Sequence, residues 1–322
     1  MFQRWALTCF LAMGLALLPP DVSDACLMTP PKTLWKLATA ETIVLARVTS
    51  VAEGGMDADL QVVERWKGTP GETVLVREPP THIICGIPPT FSPGETVVAF
   101  LLGPFEGTWR GYDFGVFPVK TADDIAAFRA RLKEALAAQA SPLEEPPREW
   151  SLLAASHPAT RWHGLYHLFG PYHVSFPGFL PAPRLPLPRQ PLLTKEEQRR
   201  IAAGFVASPG NPRDLGLVLL ALQDHPDRAV DRAAVASMDA WLAEAPDSEA
   251  LLMPATVEVL TSRLGIRVPP PEPGQVIPRA ELLKLPFEQQ QKLLHQHAQK
   301  KWKVVSAEYR KRTRAGTGKG AR

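Results

Sequence analysis

Cysteine is scarce in this chain. Cys9, Cys26 and Cys85 are the three among 322 residues, which limits the molecule to one intramolecular disulfide, and no CxxC pair suggests a zinc ribbon or a dithiol redox site. HExxH, GxSxG, GxxxxGK[ST] and GxGxxG are also missing. No standard signature of a zinc hydrolase, a serine hydrolase, a phosphate-cradling loop or a dinucleotide site is therefore present. Beyond residue 18 no apolar run approaches the roughly 20 residues of a membrane helix. Acids nearly vanish at one end: from Gln291 to Arg322, Glu308 stands alone against ten Lys or Arg, a local charge of +9. Taking that from the whole chain's +3 leaves −6 on the remainder. Proline, by contrast, is plentiful at 34 residues, about twice the usual share of roughly 5%, so the joints between elements should be stiff.

The first 18 residues, MFQRWALTCFLAMGLALL, carry one cation, Arg4, followed by an apolar run from Trp5 to Leu18. Pro19-Pro20 breaks that run, and Ser23-Asp24-Ala25 places small residues where a signal peptidase reads them. The pattern predicts a secretory signal peptide over 1–25 and a secreted or periplasmic mature protein. Cleavage after Ala25 removes Cys9 and leaves Cys26 and Cys85. In an oxidising compartment these two form a bridge closing about 60 residues, contributing on the order of 4 kcal/mol. Two free thiols, or a lipid-modified Cys26 anchoring the chain as a lipoprotein, are the alternatives. Ser23 stands where lipoprotein sites usually carry Leu.

Hydrophobic patterning predicts an α+β protein of two domains. Over 26–120, TIVLARVTSV, DLQVVERW, ETVLVR and TVVAFLL, then WRGY and GVFPV, read as short strands separated by turn signals, as in a small β-barrel. TVVAFLL is apolar throughout and suits a central strand. An amphipathic helix follows over 121–140, with Ile125, Phe128, Leu132 and Leu136 on one face and Asp123 and Asp124 in its first turn. A proline-rich linker covers 141–149. Residues 150–265 read as all-α, either a bundle or a HEAT-like solenoid, with a proline-rich insertion at 171–191. Thr194-Lys195-Glu196-Glu197 has the form of a capping box. The segment 266–322 is a linker and tail, helical from Phe287 to Lys311 and disordered from Arg312 onward.

Candidate chemistry is sparse. His163 and His167, at i and i+4, share a helix face and are candidate metal ligands, yet no Asp, Glu or Cys lies between Trp150 and Tyr172 to complete a shell. Packed or surface histidines are the competing reading, and no cofactor is expected. A hydrolase using the region from His157 to His173 is the enzymatic alternative. In the tail, Lys300, Lys301, Lys303, Arg310, Lys311 and Arg312 interleave with Trp302 and Tyr309. This is the pattern of an interfacial helix on an anionic membrane or an acidic polymer. Export argues against a nucleic-acid partner.

Several motifs occur in a telling order: Cys26 at the mature start with Pro30 close behind, then ATAETIVLARVTSV, then VVERWKG, then IICGIPPTFSPGETVVAFL. This third of the chain, about 26–120, resembles the netrin-like domain of the tissue inhibitors of metalloproteinases, an OB-type barrel. The resemblance implies a disulfide between Cys26 and Cys85. It also implies a protease-binding ridge in which the α-amine and carbonyl of Cys26 chelate the protease zinc. Leu27 would then enter the specificity pocket, and Ile83 and Ile84 would support the ridge. An α-amine titrates near 8, leaving a neutral fraction to bind metal near pH 7. Met28 stands where the family has a second cysteine, and the family's other bridges and cysteine-rich C-terminal domain are missing. The resulting expectation is an exported, non-catalytic binding protein whose partner is another protein, with a zinc metalloprotease as the specific case.

Overall fold

The computed structural model describes residues 32–52, 55, 57–77, 91–138, 145–169, 192–244, 253–269, 279–282 and 284–317. The expected signal peptide at 1–25, Cys9, Cys26, Leu27, Ile83, Ile84, Cys85 and the expected insertion at 171–191 lie outside the described residues.

A short helix, α1 (Leu34–Leu37), precedes five strands: β1 (Thr42–Val51), β2 (Ala58–Lys67), β3 (Thr73–Val76), β4 (Thr96–Phe105) and β5 (Thr108–Pro118). They close into a barrel in the order β1-β2-β3-β5-β4. All neighbours are antiparallel except β3 and β5, which meet in parallel at Val76 and Trp109. Inside, Val44, Ala46, Val48, Leu60, Val74, Val76, Val97, Ala99 and Leu101 form one core. The alternate residues Ile43, Leu45, Val98 and Phe100 face outward, yet they are equally buried, because α1 and α2 (Ala122–Ala138) cover that side of β1 and β4. A strand buried on both faces must be apolar throughout rather than alternating, which is why IVLA and VVAFL carry no polar residue. On β2, where one face meets solvent, Asp59, Gln61, Val63 and Arg65 alternate with more buried neighbours.

The two terminal strand segments expected around WRGY and GVFPV are one strand. β5 runs unbroken through Gly111, and its pairing with β4 absorbs an irregularity between Ala99 and Leu101. A register shift of this kind bends a strand without ending it, so the glycine signals a bend where the sequence suggested a break.

Helices α3 (Arg148–Ser156), α4 (Arg161–Phe169), α5 (Lys195–Ala207), α6 (Leu215–Ala221), α7 (Arg228–Glu244) and α8 (Met253–Arg263) follow, then the single turn α9 (Arg279–Leu282) and the long α10 (Phe287–Thr317). Alternate helices stack: α3 on α5, α4 on α6, α5 on α7 and α6 on α8, with α10 laid over α7 and α8. Their shared core contains Ile201, Phe205, Val218, Met238, Trp241, Leu260 and Trp302. Two glycines set the spacing where the stack begins. A Cβ at Gly164 would overlap the Ser151 carbonyl and the Ala155 amide, and one at Gly204 would overlap the Ser156 carbonyl. Helix α3 is thus held against the backbones of both α4 and α5.

The capping box is formed in full: the Thr194 hydroxyl accepts from the Glu197 N–H at 3.3 Å, and Glu197 Oε2 accepts from the Thr194 N–H at 2.7 Å. Arg148 of α3 donates to both Glu197 oxygens at 2.7 and 2.8 Å. That hydrogen bonding, Arg148's first, holds the Glu197 carboxyl at about 2, below the usual carboxylate range. Thr194→Ala is expected to cost about 1 kcal/mol in urea unfolding.

The tail differs from expectation. α10 continues to Thr317 rather than ending at Lys311. Arg312 donates to Glu308 one turn earlier at 2.9 Å and to the Gly265 carbonyl at 3.2 Å, and the Thr313 hydroxyl donates to the Tyr309 carbonyl at 3.1 Å. Docking against the preceding domain stabilises residues that composition alone would leave uncommitted.

Candidate functional site at the barrel–helix junction

Sequence placed His163 and His167 on one face of a helix, and the structure places that face against the start of the described chain. α4 lies between two cores. Leu165 and Phe169 point into the helical stack, while His163 and His167 point toward α1, α2 and β5. His163 is 2% exposed. Its Nδ1 accepts the Leu34 backbone N–H at 3.1 Å, so in the neutral ring the proton resides on Nε2. Phe117, Trp162 and Phe128 present their rings edgewise at 4.9, 5.2 and 5.9 Å. His167 Nε2 meets the Thr33 hydroxyl, and its Nδ1 lies 3.3 Å from Glu145 Oε2. A neutral imidazole satisfies both contacts, donating to the carboxylate and accepting from the hydroxyl.

Thr33 occupies the N-cap position of α1, but its hydroxyl goes to His167 instead of capping the helix. α1 is then wedged in place. Leu34 and Leu37 are fully buried, Trp35 packs edgewise on Trp150 at 5.3 Å, and Lys67 of β2 donates to the Ala38 carbonyl at 2.9 Å. Trp150 in turn donates from Nε1 to the Arg131 carbonyl of α2 at 3.0 Å. The two histidines therefore tie the entry of the barrel domain to the first helices of the helical domain.

Electrostatics follow from burial. Desolvation pushes His163 down to about 3, aided by neighbouring His167. Desolvation also pulls His167 down to about 4, against the opposing pull of Glu145. Both rings are neutral at pH 7 and act as hydrogen-bonding posts. Among the described residues no three His, Cys, Asp or Glu side chains converge as metal donors, and at His163 the Nδ1 lone pair is already taken by Leu34. His157, at the bend between α3 and α4, uses its Nδ1 to accept the Ala159 N–H at 3.2 Å, and burial lowers its pKa too.

Sequence reasoning missed Thr33, Leu34 and Trp35. A Thr followed by Leu-Trp-Lys-Leu is a helix-start signal, but a single turn carries too little periodicity to be recognised. It also missed Arg161, which is fully buried beneath α4. Its guanidinium donates to the carbonyls of Pro209, Ser208 and Gly204 at 2.5, 2.8 and 3.1 Å, closing the C-terminal end of α5. Burial brings it down to about 10, so it remains charged at neutral pH.

The basic residues of the tail divide into two groups. Lys301 pairs with Glu258, Arg310 donates to Asp239 at 2.7 Å, and Arg312 pairs with Glu308. Lys300, Lys303 and Lys311 are exposed on the other side of α10. Of the expected interfacial helix, the placement of the aromatics needs correction. Trp302 is 4% exposed, donates to Asp239 at 2.8 Å and lies in the helical core, and Tyr309 packs against the same core. The aromatic face serves the protein's interior because the preceding helices leave an apolar groove for it.

At the far end of the barrel, Ser50, Val51, Asp57, Asp59, Leu75 and Arg77 line a shallow cleft of about 180 Å³. Here the chain leaves the described residues after Arg77 and returns at Phe91, whose N–H donates to the Gly55 carbonyl at 2.9 Å. Compared with protein-family models, curated proteins and solved structures, the chain matches none.

Proposed function

We propose that this is an exported, non-catalytic binding protein that engages another protein through the leading edge of its barrel. That edge comprises Cys26 and Leu27 together with Ile83 and Ile84 ahead of Cys85, stapled by a Cys26–Cys85 bridge. The observation that carries the reading is the clasp of His163 and His167 on Thr33 and Leu34. A fixed point seven residues after Cys26 confines the mature N-terminus to within about 25 Å of it, given roughly 3.5 Å of reach per residue. Such confinement reduces the ordering cost of presenting that terminus to a partner. The barrel's strand order and its parallel β3–β5 contact agree with the OB type. The alternate stacking of α3 to α8 agrees with a short HEAT-like solenoid. Both fit a scaffold that displays a surface.

Inhibition of a zinc metalloprotease is the specific form of this reading, because a free, positioned α-amine at Cys26 is a zinc ligand. A His-dependent hydrolase gains no support: the imidazole at its centre, His163, is buried and committed to Leu34.

Exported protein is expected to begin at Cys26 and to show no alkylatable thiol until it is reduced, as read by intact mass. Two alkylatable thiols, or a start well downstream, would sink the proposal. For the protease form, an extra alanine ahead of Cys26 is expected to weaken inhibition of susceptible zinc proteases at least about 100-fold, since the chelating amine is displaced (about 2.8 kcal/mol at 1.4 per decade). Equal, negligible inhibition by both forms would remove the inhibitor while leaving the binding protein.

A further inference from the structure

The tail helix carries two distinct faces. Gln291, Ala298, Trp302 and Val305 form its buried seam. At 3.6 residues per turn, Lys292, Lys300, Lys303 and Lys311 fall together on the opposite side, over about 28 Å of helix. Half-buried Leu293, Gln296, Ala307 and Arg314 share that side, and no carboxylate does, because Glu288 and Glu308 lie on the flanks. All four lysines are exposed, and none has an ion-pair partner among the described residues. The cations Lys301, Arg310 and Arg312 each pair with an acid of the protein itself. The outward row is left charged.

We infer that this lysine row docks the protein peripherally on an anionic lipid surface, with α10 lying flat and nothing inserted. The packing argues against insertion: the helix's apolar side is spent on the core, and among the described residues Val304, 46% exposed, is the large aliphatic that α10 leaves to solvent. No described helix is long and apolar enough to cross a membrane. The residue type points to lipid. Lysine is a hydrated point charge on a flexible stem, suited to the smeared charge of a headgroup layer, whereas arginine's fork suits individual phosphates. Here Arg310 and Arg312 serve internal pairs, and on the outward side four lysines stand against one arginine, Arg314. Nor does the face offer the aromatic platform that single-stranded nucleic acid uses, since Trp302 and Tyr309 turn inward. A straight row meets a plane along its whole length.

The test is co-sedimentation of the full mature protein with phosphatidylcholine vesicles containing 30% phosphatidylglycerol. Binding is expected in 50 mM NaCl, is expected to fall steeply by 500 mM, and should not occur on pure phosphatidylcholine. A lysine near such a surface contributes about fivefold in partition. The triple variant Lys300→Gln/Lys303→Gln/Lys311→Gln should therefore partition about 100-fold less while keeping the parent's circular dichroism and melting temperature. A variant that folds and binds as well as the parent would overturn the proposal. So would failure of the parent to prefer anionic vesicles, or tighter, triple-lysine-dependent binding to duplex DNA or an acidic polysaccharide than to vesicles.

Discussion

Arg161→Met is expected to lower the stability of the protein by about 3 kcal/mol in urea unfolding followed by tryptophan fluorescence. The guanidinium reaches three carbonyls where α5 ends and carbonyl oxygens concentrate partial negative charge: those of Ser208 and Pro209, and that of Gly204, which also accepts the Ser208 N–H at 3.1 Å. Methionine fills similar space but donates nothing, leaving those part-buried oxygens with fewer partners. Hydrogen bonds from a charged donor are worth about 1.5–3 kcal/mol each. The desolvation of a buried cation offsets a share of that sum, which brings the net loss to about 3. The face of the Phe205 ring, 5.6 Å from the guanidinium carbon, adds a smaller attraction that is also lost. Arg161→Lys should recover little, because a single ammonium cannot span three carbonyls arranged for a planar fork. A loss below 1 kcal/mol for the Met variant would mean that water satisfies the three carbonyls unaided.

That residue also marks the limit of what the sequence discloses. Arginine is almost never fully buried, so Arg161 reads as a surface position unless the end of α5 is known to fold back on it. Gly164 and Gly204 read as weak points in helices, whereas they permit the backbone approach of α3 to α4 and α5. Elements whose cause is local were legible. The apolar run TVVAFLL gave a central strand because both its faces are covered, and Thr194 with Glu197 gave a helix start because the reciprocal bonds lie within one turn. The i, i+4 spacing of His163 and His167 correctly put them on one face. What that face meets was not legible, since Thr33 and Leu34 lie about 130 residues away in the chain. The basic row on α10 was visible as composition. Its separation from the aromatic seam required knowing which side of the helix the α7–α8 groove accepts.

Acidification from pH 7 to pH 5 is expected to remove about 4 kcal/mol of stability, and the junction histidines are the cause. Their folded pKa values, about 3 for His163 and about 4 for His167, lie below the roughly 6.5 of an unfolded histidine. Between those limits the unfolded chain binds protons that the folded chain refuses, so stability rises with pH. The contribution is complete above about pH 6.5 and is lost as the pH falls toward 4, reaching about 2 kcal/mol per histidine by pH 5. Glu197, held at about 2, acts in the same direction but below the normal carboxylate range, so it leaves this window to the histidines. Protonating His163 would turn the acceptor of the Leu34 N–H into a second donor facing it, and His167 would likewise lose its acceptor for the Thr33 hydroxyl. Glu145, 3.3 Å from His167, softens the second loss, while Lys36, 3.7 Å from Glu145, opposes it. Amide exchange at residues 34–38 should accelerate along with the drop in stability, because α1 depends directly on both rings. His167→Gln, which retains a donor and an acceptor but cannot titrate, is expected to halve the pH dependence. Unfolding free energies that agree within 1 kcal/mol at pH 7 and pH 5 would show that the junction admits protons without opening, and that the two rings are not the clasp described.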